Sequence, residues 1–300
     1  MSSAQVAAKT ITKLEIEDWA VLEAIEKSIS SFEAVPVTLI QKESGLHADQ
    51  VAFRLQQLNY FGFLMRNRHG IILNTAGLDA LAINAFVKKG LVSGMGKSIG
   101  MGKESDVFEV INDSGKKSVL KFYRIGRTSF RSTRKNRAYM NPQNQHQWLE
   151  INIGAAQMEG QGLKKAEAAG VTVPEFIARD RHAVLMSEVD GPMLYRVNRK
   201  DVPRPKALLK KILQNIRLAY LKAEMINGDI SEYNILFDGQ KPWIIDWPQF
   251  VLSSHANADE ILERDVENSI SFFRRKFGLT LETKPALDFV KGKRSGLRVS

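Results

Sequence analysis

Three side chains within one short stretch carry the plainest chemistry in the chain. In NGDISEYNILFDGQKPWIIDW (227–247), Asp229 and Asn234 stand five residues apart, and Asp246 closes the segment. Ile235 and Leu236 open one apolar run, and Trp243, Ile244 and Ile245 form a second that ends on Asp246. A carboxylate at the end of an apolar strand is costly unless a positive partner meets it. Two carboxylates and an amide offer hard oxygen ligands, the kind magnesium takes. With Asp229 orienting an acceptor hydroxyl, and Asn234 and Asp246 holding metal between phosphates, the chemistry is phosphoryl transfer.

Two upstream clusters bear on the phosphates. GLVSGMGKS (90–98) imitates a Walker A loop, but that loop needs glycine where Leu91 stands, and no buried strand clearly precedes it. IGMGKESDVF (99–108) is the better candidate. Gly100 and Gly102 are followed by Lys103, Glu104, Ser105 and an alternating apolar run, as a turn over phosphates requires. A simple hairpin would read the same way. In SVLKFY (118–123), Lys121 sits in an apolar strand, where burial without an anionic partner is costly. It either meets phosphate oxygens with a helix glutamate beside it, or faces water. Glu159, in a helix expected over 147–169, is the candidate partner, with Glu150 and Glu167 as competitors. Glycine turn, lysine, aspartate, asparagine and aspartate follow the order used by protein kinases. Asn227 stands where many kinases have histidine, Trp-Pro-Gln follows Asp246, and no activation loop or Ala-Pro-Glu motif is visible.

These residues need a folded frame. At 300 residues, 44% hydrophobic and 25% charged, the composition is globular, which excludes a disordered tail or a fibre. No apolar run is long enough to span a membrane, the first 25 residues hold no secretory signal, and there is no cysteine. An intracellular, cytoplasmic protein is expected. The five histidines are scattered and predict no zinc site.

Residues 11–88 read as short helices and a hairpin. Asp18 is expected to cap a helix bearing Val21, Leu22, Ile25 and Ile29, and residues 36–43 form a second helix that Gly45 ends. Residues 49–58 form a third, residues 60–74 a hairpin, and Thr75 caps a fourth helix through Val87. This is a winged-helix order. Its third helix carries Arg54 as its one basic residue, which argues against a specific DNA site and for a protein- or RNA-contact module. Residues 91–99 read as a linker, and residues 255–277 as an amphipathic helix stopped at Gly278.

The net charge of +10 is uneven. Residues 1–90 carry 9 basic and 9 acidic side chains, whereas residues 91–300 carry 34 and 24. The excess points to a polyanionic partner of the later part. Its densest stretch, KFYRIGRTSFRSTRKNR (121–137), holds seven basic and no acidic residues among aromatics. Arg124, Arg127, Arg131, Arg134, Lys135 and Arg137 are therefore candidate nucleic-acid or ribosome contacts, against the alternatives of a solvated face or of contacts to ATP phosphates.

GMGKES (100–105), FYRIGRTSFR (122–131), NGDISEYNIL (227–236), IIDWPQ (244–249) and the helix at 253–278 resemble the Rio atypical kinases over nearly the whole chain. The winged helix and RTSFR resemble the Rio2 subfamily, and the short tail implies an archaeal member. The resemblance implies an α+β protein: a winged-helix domain (1–90), a linker (91–99), a truncated bilobal kinase domain (100–280) and a basic tail (281–300). The kinase N-lobe would span 100–185, the hinge 186–189 and the C-lobe 190–280. It implies ATP with magnesium, manganese serving in its place, and the glycine turn 100–105 on the phosphates. Lys121 would contact ATP beside Glu159, with Met186, Glu188 and Val189 near adenine. Asp229 would be catalytic, and Asn234 and Asp246 metal-bound, Asp246 also accepting phosphate. It further implies ATPase behaviour and work on the maturing small ribosomal subunit, through its rRNA and proteins, with no membrane partner. A small-molecule phosphotransferase and a non-enzymatic nucleic-acid-binding regulator are the alternatives. The winged helix argues against the first and the complete Lys121–Asp229–Asn234–Asp246 set against the second.

Overall fold

The computed structural model describes residues 1–126 and 143–299, in two compact units. The first comprises Met1–Gly154 with Arg179–Ala183, and the second Ala155–Ala178 with Val184–Ser300.

The first unit opens with α1 (Ser3–Thr10), α2 (Ile16–Ser28), α3 (Val37–Ser44) and α4 (Ala48–Tyr60). A hairpin of β1 (Leu64–Asn67) and β2 (Gly70–Leu73) follows, then α5 (Thr75–Lys88). The core is built from the periodic apolar positions: Val21, Leu22 and Ile25 of α2, Ile40 of α3, and Val51, Leu55 and Leu58 of α4. Gly45 ends α3 in the left-handed conformation at φ 71°, where an L side chain would be strained. Two caps differ from expectation. Glu15, not Asp18, starts α2, and Asp18 lies one turn in, its carboxylate accepting from Glu15 N at 2.9 Å. Asn74, not Thr75, starts α5, accepting from Gly77 N at 3.1 Å. In both cases a second polar residue nearby met the N-terminal amides with better geometry. Helix α1 carried little signal, since only Ala4 and Ala7 are buried.

Three strands then form an antiparallel meander: β3 (Gly94–Met101), β4 (Ser105–Ile111) and β5 (Lys117–Tyr123). The expected linker at 91–99 is corrected here, because residues 94–99 belong to β3. Glycines and lysines do not advertise a strand, but an edge strand needs only its backbone paired, and β4 supplies the partner. In β4 the buried residues alternate, with Phe108 and Val110 inside. Helix α6 (Gln143–Ala168) leads to β6 (Phe176–Asp180) and β7 (Ala183–Ser187), which are hydrogen-bonded neighbours.

In the second unit, α7 (Pro205–Leu221) buries Leu208, Leu209, Ile212, Leu213 and Ile216. Strand β8 (Met225–Ile226) pairs antiparallel with β11 (Val251–Leu252), and β9 (Ile235–Phe237) with β10 (Pro242–Ile244). Helix α8 (Ala258–Phe277) ends at Gly278 in the left-handed conformation. The segment expected as a basic tail contains a further helix, α9 (Thr283–Val290), with Ala286, Phe289 and Val290 buried. There Lys291 pairs with Asp259 at 2.7 Å. The apolar spacing of α9 spans only two turns, too short to stand out beside the terminal lysines and arginines. No helix among the described residues is long and apolar enough to cross a membrane.

Candidate active site

The loop between β8 and β9 carries Asp229 and Asn234. Gly228 turns it at φ 84°, and a Cβ there would sit 3.3 Å from the Gln249 carbonyl, so only glycine suits the turn. Asp265 of α8 is fully buried and accepts from Gly228 N at 2.9 Å and Ile230 N at 3.1 Å, so one carboxylate grips the backbone on both sides of Asp229. Burial pushes the Asp265 carboxyl up to about 7, against the pull of those two amides. Asn227, where many kinases carry histidine, spans the site. Its Oδ1 accepts from Asp229 N at 3.1 Å and its Nδ2 donates to the Asp246 carbonyl at 2.9 Å.

Asn234 Nδ2 donates to Asp229 Oδ2 at 2.7 Å and to the Asp229 carbonyl at 2.9 Å. The β9–β10 hairpin returns the chain so that Ile245 N donates to the Asn234 carbonyl at 3.0 Å, which brings Asp246 to the same place. Asp246 adopts φ 68°, a left-handed conformation that costs a non-glycine residue about 1 kcal/mol or more. The peptide that follows it is held at both ends: its carbonyl accepts from Asn227, and its amide, Trp247 N, donates to Glu159 Oε2 at 2.6 Å. Glu159 and Trp247 are buried, whereas the competitors Glu150 and Glu167 are exposed.

Burial first, and then the charge of Asp246, push the Asp229 carboxyl above the usual carboxylate range, while the Asn234 bond opposes them. A hard dication would relieve that repulsion, and two carboxylates with an amide oxygen are the donors it takes. The residues present therefore fit magnesium. Among the described residues, no group of three or more His, Cys, Asp or Glu forms a metal cluster of another kind.

The first unit carries the glycine turn and Lys121, and the second the residues expected beside adenine. Gly100 lies near the end of β3, and Gly102, Lys103 and Glu104 form the turn into Ser105 of β4, closed by Gly102 N donating to the Ser105 carbonyl at 2.9 Å. Lys121 lies opposite Val107 in the β4–β5 ladder. It is 7% exposed, so it does not face water, and its Nζ stands 4.8 Å from the Tyr123 ring centre. Met186 is buried at the end of β7, where Ser187 N donates to the Glu175 carbonyl at 2.9 Å, and half-buried Glu188 and Val189 follow.

Arg124 is not an exposed contact for nucleic acid. It is 2% exposed, with Nη2 at 2.7 Å from Asp79 and Nε at 3.1 Å from Asp106. The basic run drew it into the surface cluster, but two distant carboxylates claim it. Arg127, Arg131, Arg134, Lys135 and Arg137 lie outside the described residues. In the helical domain, Arg54 contacts Glu15 at 2.6 Å, Glu17 at 3.3 Å and Asp18 at 3.5 Å. Asp265 escaped the sequence reading, although a carboxylate among the apolar Leu262, Val266 and Ile270 was a usable signal.

The RIO domain family matches residues 106–286, and the Rio2 N-terminal family matches residues 11–89. The chain is 38% identical over 247 residues to the RIO-type serine/threonine-protein kinase Rio2 of Methanocaldococcus jannaschii, covering 81% of this chain and 91% of that one. It is 34% identical over 281 residues to the serine/threonine-protein kinase rio2 of Dictyostelium discoideum, covering 92% of this chain and 53% of the longer relative. The crystal structure of the Rio2 kinase–ADP/Mg2+–phosphoaspartate complex from Chaetomium thermophilum matches with TM-score 0.79 and 31% identity, covering 96% of this chain and 90% of that one.

Proposed function

Since the chain belongs to the RIO family of serine/threonine-protein kinases, in its Rio2 branch, we propose that it splits ATP with magnesium at Asp229, Asn234 and Asp246 and passes the phosphoryl group through Asp246. The observation that carries this reading is the convergence of those three residues, with Asn234 Nδ2 2.7 Å from Asp229 Oδ2 and Asp246 held in a left-handed conformation beside them. Asn234 and Asp246 are the residues to hold the metal, which supplies charge neutralisation at the phosphates. Gly100, Gly102, Lys103, Glu104, Ser105 and Lys121 are the phosphate-binding set, and Met186, Glu188 and Val189 the adenine side. Glu159 supports the site by fixing Trp247 N, and with it the backbone that presents Asp246.

In the proposed step, an Asp246 carboxylate oxygen attacks the γ-phosphorus, the bond to the β,γ-bridging oxygen breaks, and ADP leaves. Water then cleaves the acyl phosphate, releasing phosphate and the free carboxylate. Asp229, with its pKa raised, is placed to take the proton of that water or of an acceptor hydroxyl. The partner in this reading is the maturing small ribosomal subunit, its rRNA and proteins. Support comes from the excess positive charge of residues 91–300, which suits a polyanionic partner. The test is labelling with γ-phosphate-labelled ATP. Label on Asp246 that hydroxylamine releases, and that Asp246→Asn lacks, is the expected result. Label that resists hydroxylamine, or that persists in Asp246→Asn, refutes transfer through this carboxylate. Co-sedimentation with purified small subunits tests the partner, and failure to co-sediment in every nucleotide state refutes it.

A further inference from the structure

We propose that Arg124 is a positioning residue for the phosphate-binding turn and that Asp79, in the N-terminal helical domain, fixes it there. Nucleotide affinity is then set partly by a domain that contributes no residue to the site. The inference rests on the reading of residues 100–105 and Lys121 as the phosphate-binding set.

The backbone of Arg124 is tied to the turn itself, since its N–H donates to the Glu104 carbonyl at 2.6 Å. It also follows β5 directly, three residues beyond Lys121. Its guanidinium reaches two buried carboxylates at once: Asp106, the second residue of β4, through Nε at 3.1 Å, and Asp79 of α5 through Nη2 at 2.7 Å. The other oxygen of Asp79 meets His182 Nε2 at 2.8 Å. His182 packs between the rings of Phe122 and Trp148, each centred 5.8 Å away, and its backbone carbonyl accepts from Tyr123 N at 2.9 Å. Asp79, Asp106 and His182 are all 0% exposed.

The charges order this network. Burial opposes ionisation of Asp79, but Arg124 and the His182 bond hold its carboxyl below the usual range. Burial pushes His182 down, so it is neutral, with its proton on Nε2 toward Asp79. One arginine thus joins the helical domain to the turn and to the start of β4, in a low-dielectric setting where the fork of a guanidinium admits one geometry. Removing one partner leaves an uncompensated buried charge, so the arrangement has no cheap alternative state.

The test is the affinity of the full chain for ADP with magnesium, measured by calorimetry beside thermal unfolding. Arg124→Gln is expected to raise Kd tenfold or more, Asp79→Asn to raise it less, and neither to reproduce its loss by a lowered Tm alone. Hydrogen exchange gives a second readout, because coupling is reciprocal. ADP with magnesium should slow exchange of the α5 amides in the wild type and not in Arg124→Gln. A lowered Tm with unchanged Kd and unchanged α5 protection overturns the proposal. If Arg124→Gln does not fold, Asp79→Asn carries the same comparison. Lys121→Met separates the two levels. Unchanged Kd in that variant overturns the site reading and this proposal with it, whereas raised Kd there beside normal Kd in Arg124→Gln overturns the proposal alone.

Discussion

Asp265→Asn isolates the grip on the loop that carries Asp229. The carboxylate accepts from two backbone amides, Gly228 N at 2.9 Å and Ile230 N at 3.1 Å, and burial lifts its pKa from 3.8 to about 7. The folded protein therefore holds this proton between about pH 4 and pH 7, where the unfolded chain has released it. Stability from this group is fully present below pH 3.8 and is lost as pH rises through about 7. Linkage gives a loss of about 2–3 kcal/mol between pH 5 and pH 8. Asparagine cannot titrate, so the variant lacks that slope. It also offers one acceptor oxygen to two amides and turns an NH2 toward the other, which costs about 1–3 kcal/mol. The wild-type advantage should thus be largest near pH 5 and shrink by about 2–3 kcal/mol by pH 8. Urea unfolding of both proteins at pH 5, 6, 7 and 8 measures it, the difference cancelling groups common to both. Parallel curves across that range would refute the reasoning. The variant's kcat should fall by about tenfold to a hundredfold, because a loosened loop misplaces Asp229.

Other outcomes follow from single contacts. Glu159→Ala leaves Trp247 N without its buried acceptor and should destabilise by about 1–3 kcal/mol, while Glu159→Gln, which keeps an acceptor oxygen, should recover most of it; thermal unfolding reads both. Gly278→Ala places a side chain at φ 70° and should cost about 1 kcal/mol in a urea titration with no change in KM for ATP. Trp247→Ala empties a fully buried site and should cost about 3–5 kcal/mol, or prevent folding, as expression and circular dichroism would show.

Local pattern carried much of this molecule. The helices of the first domain follow apolar spacing, and the Asp229–Asn234–Asp246 set was readable because its members lie on one loop and one hairpin. What escaped depends on contacts distant in sequence. Asp79 and Arg124 lie 45 residues apart, and Asp106 and Arg124 lie 18 apart, so nothing local told a buried arginine from its exposed-looking neighbours. Strand β3 was hidden because glycine and lysine give no alternation, and pairing with β4 decided its conformation. The cap at Asp18 went to Glu15 because both side chains can meet helix-start amides and only the folded geometry ranks them. Asn227 looked like a departure, yet its amide does the bridging between Asp229 and Asp246.

The most direct measurement is magnesium-dependent ATP turnover by the wild type, Asp229→Asn and Asp246→Asn under identical conditions. Asparagine tolerates the left-handed conformation of residue 246, so Asp246→Asn should fold normally. Turnover by the wild type that vanishes on chelating magnesium, and that falls at least a hundredfold in each variant with Tm unchanged, is the predicted result. Wild-type turnover that survives in Asp246→Asn, or that ignores magnesium, would contradict the assignment of phosphoryl transfer to these residues.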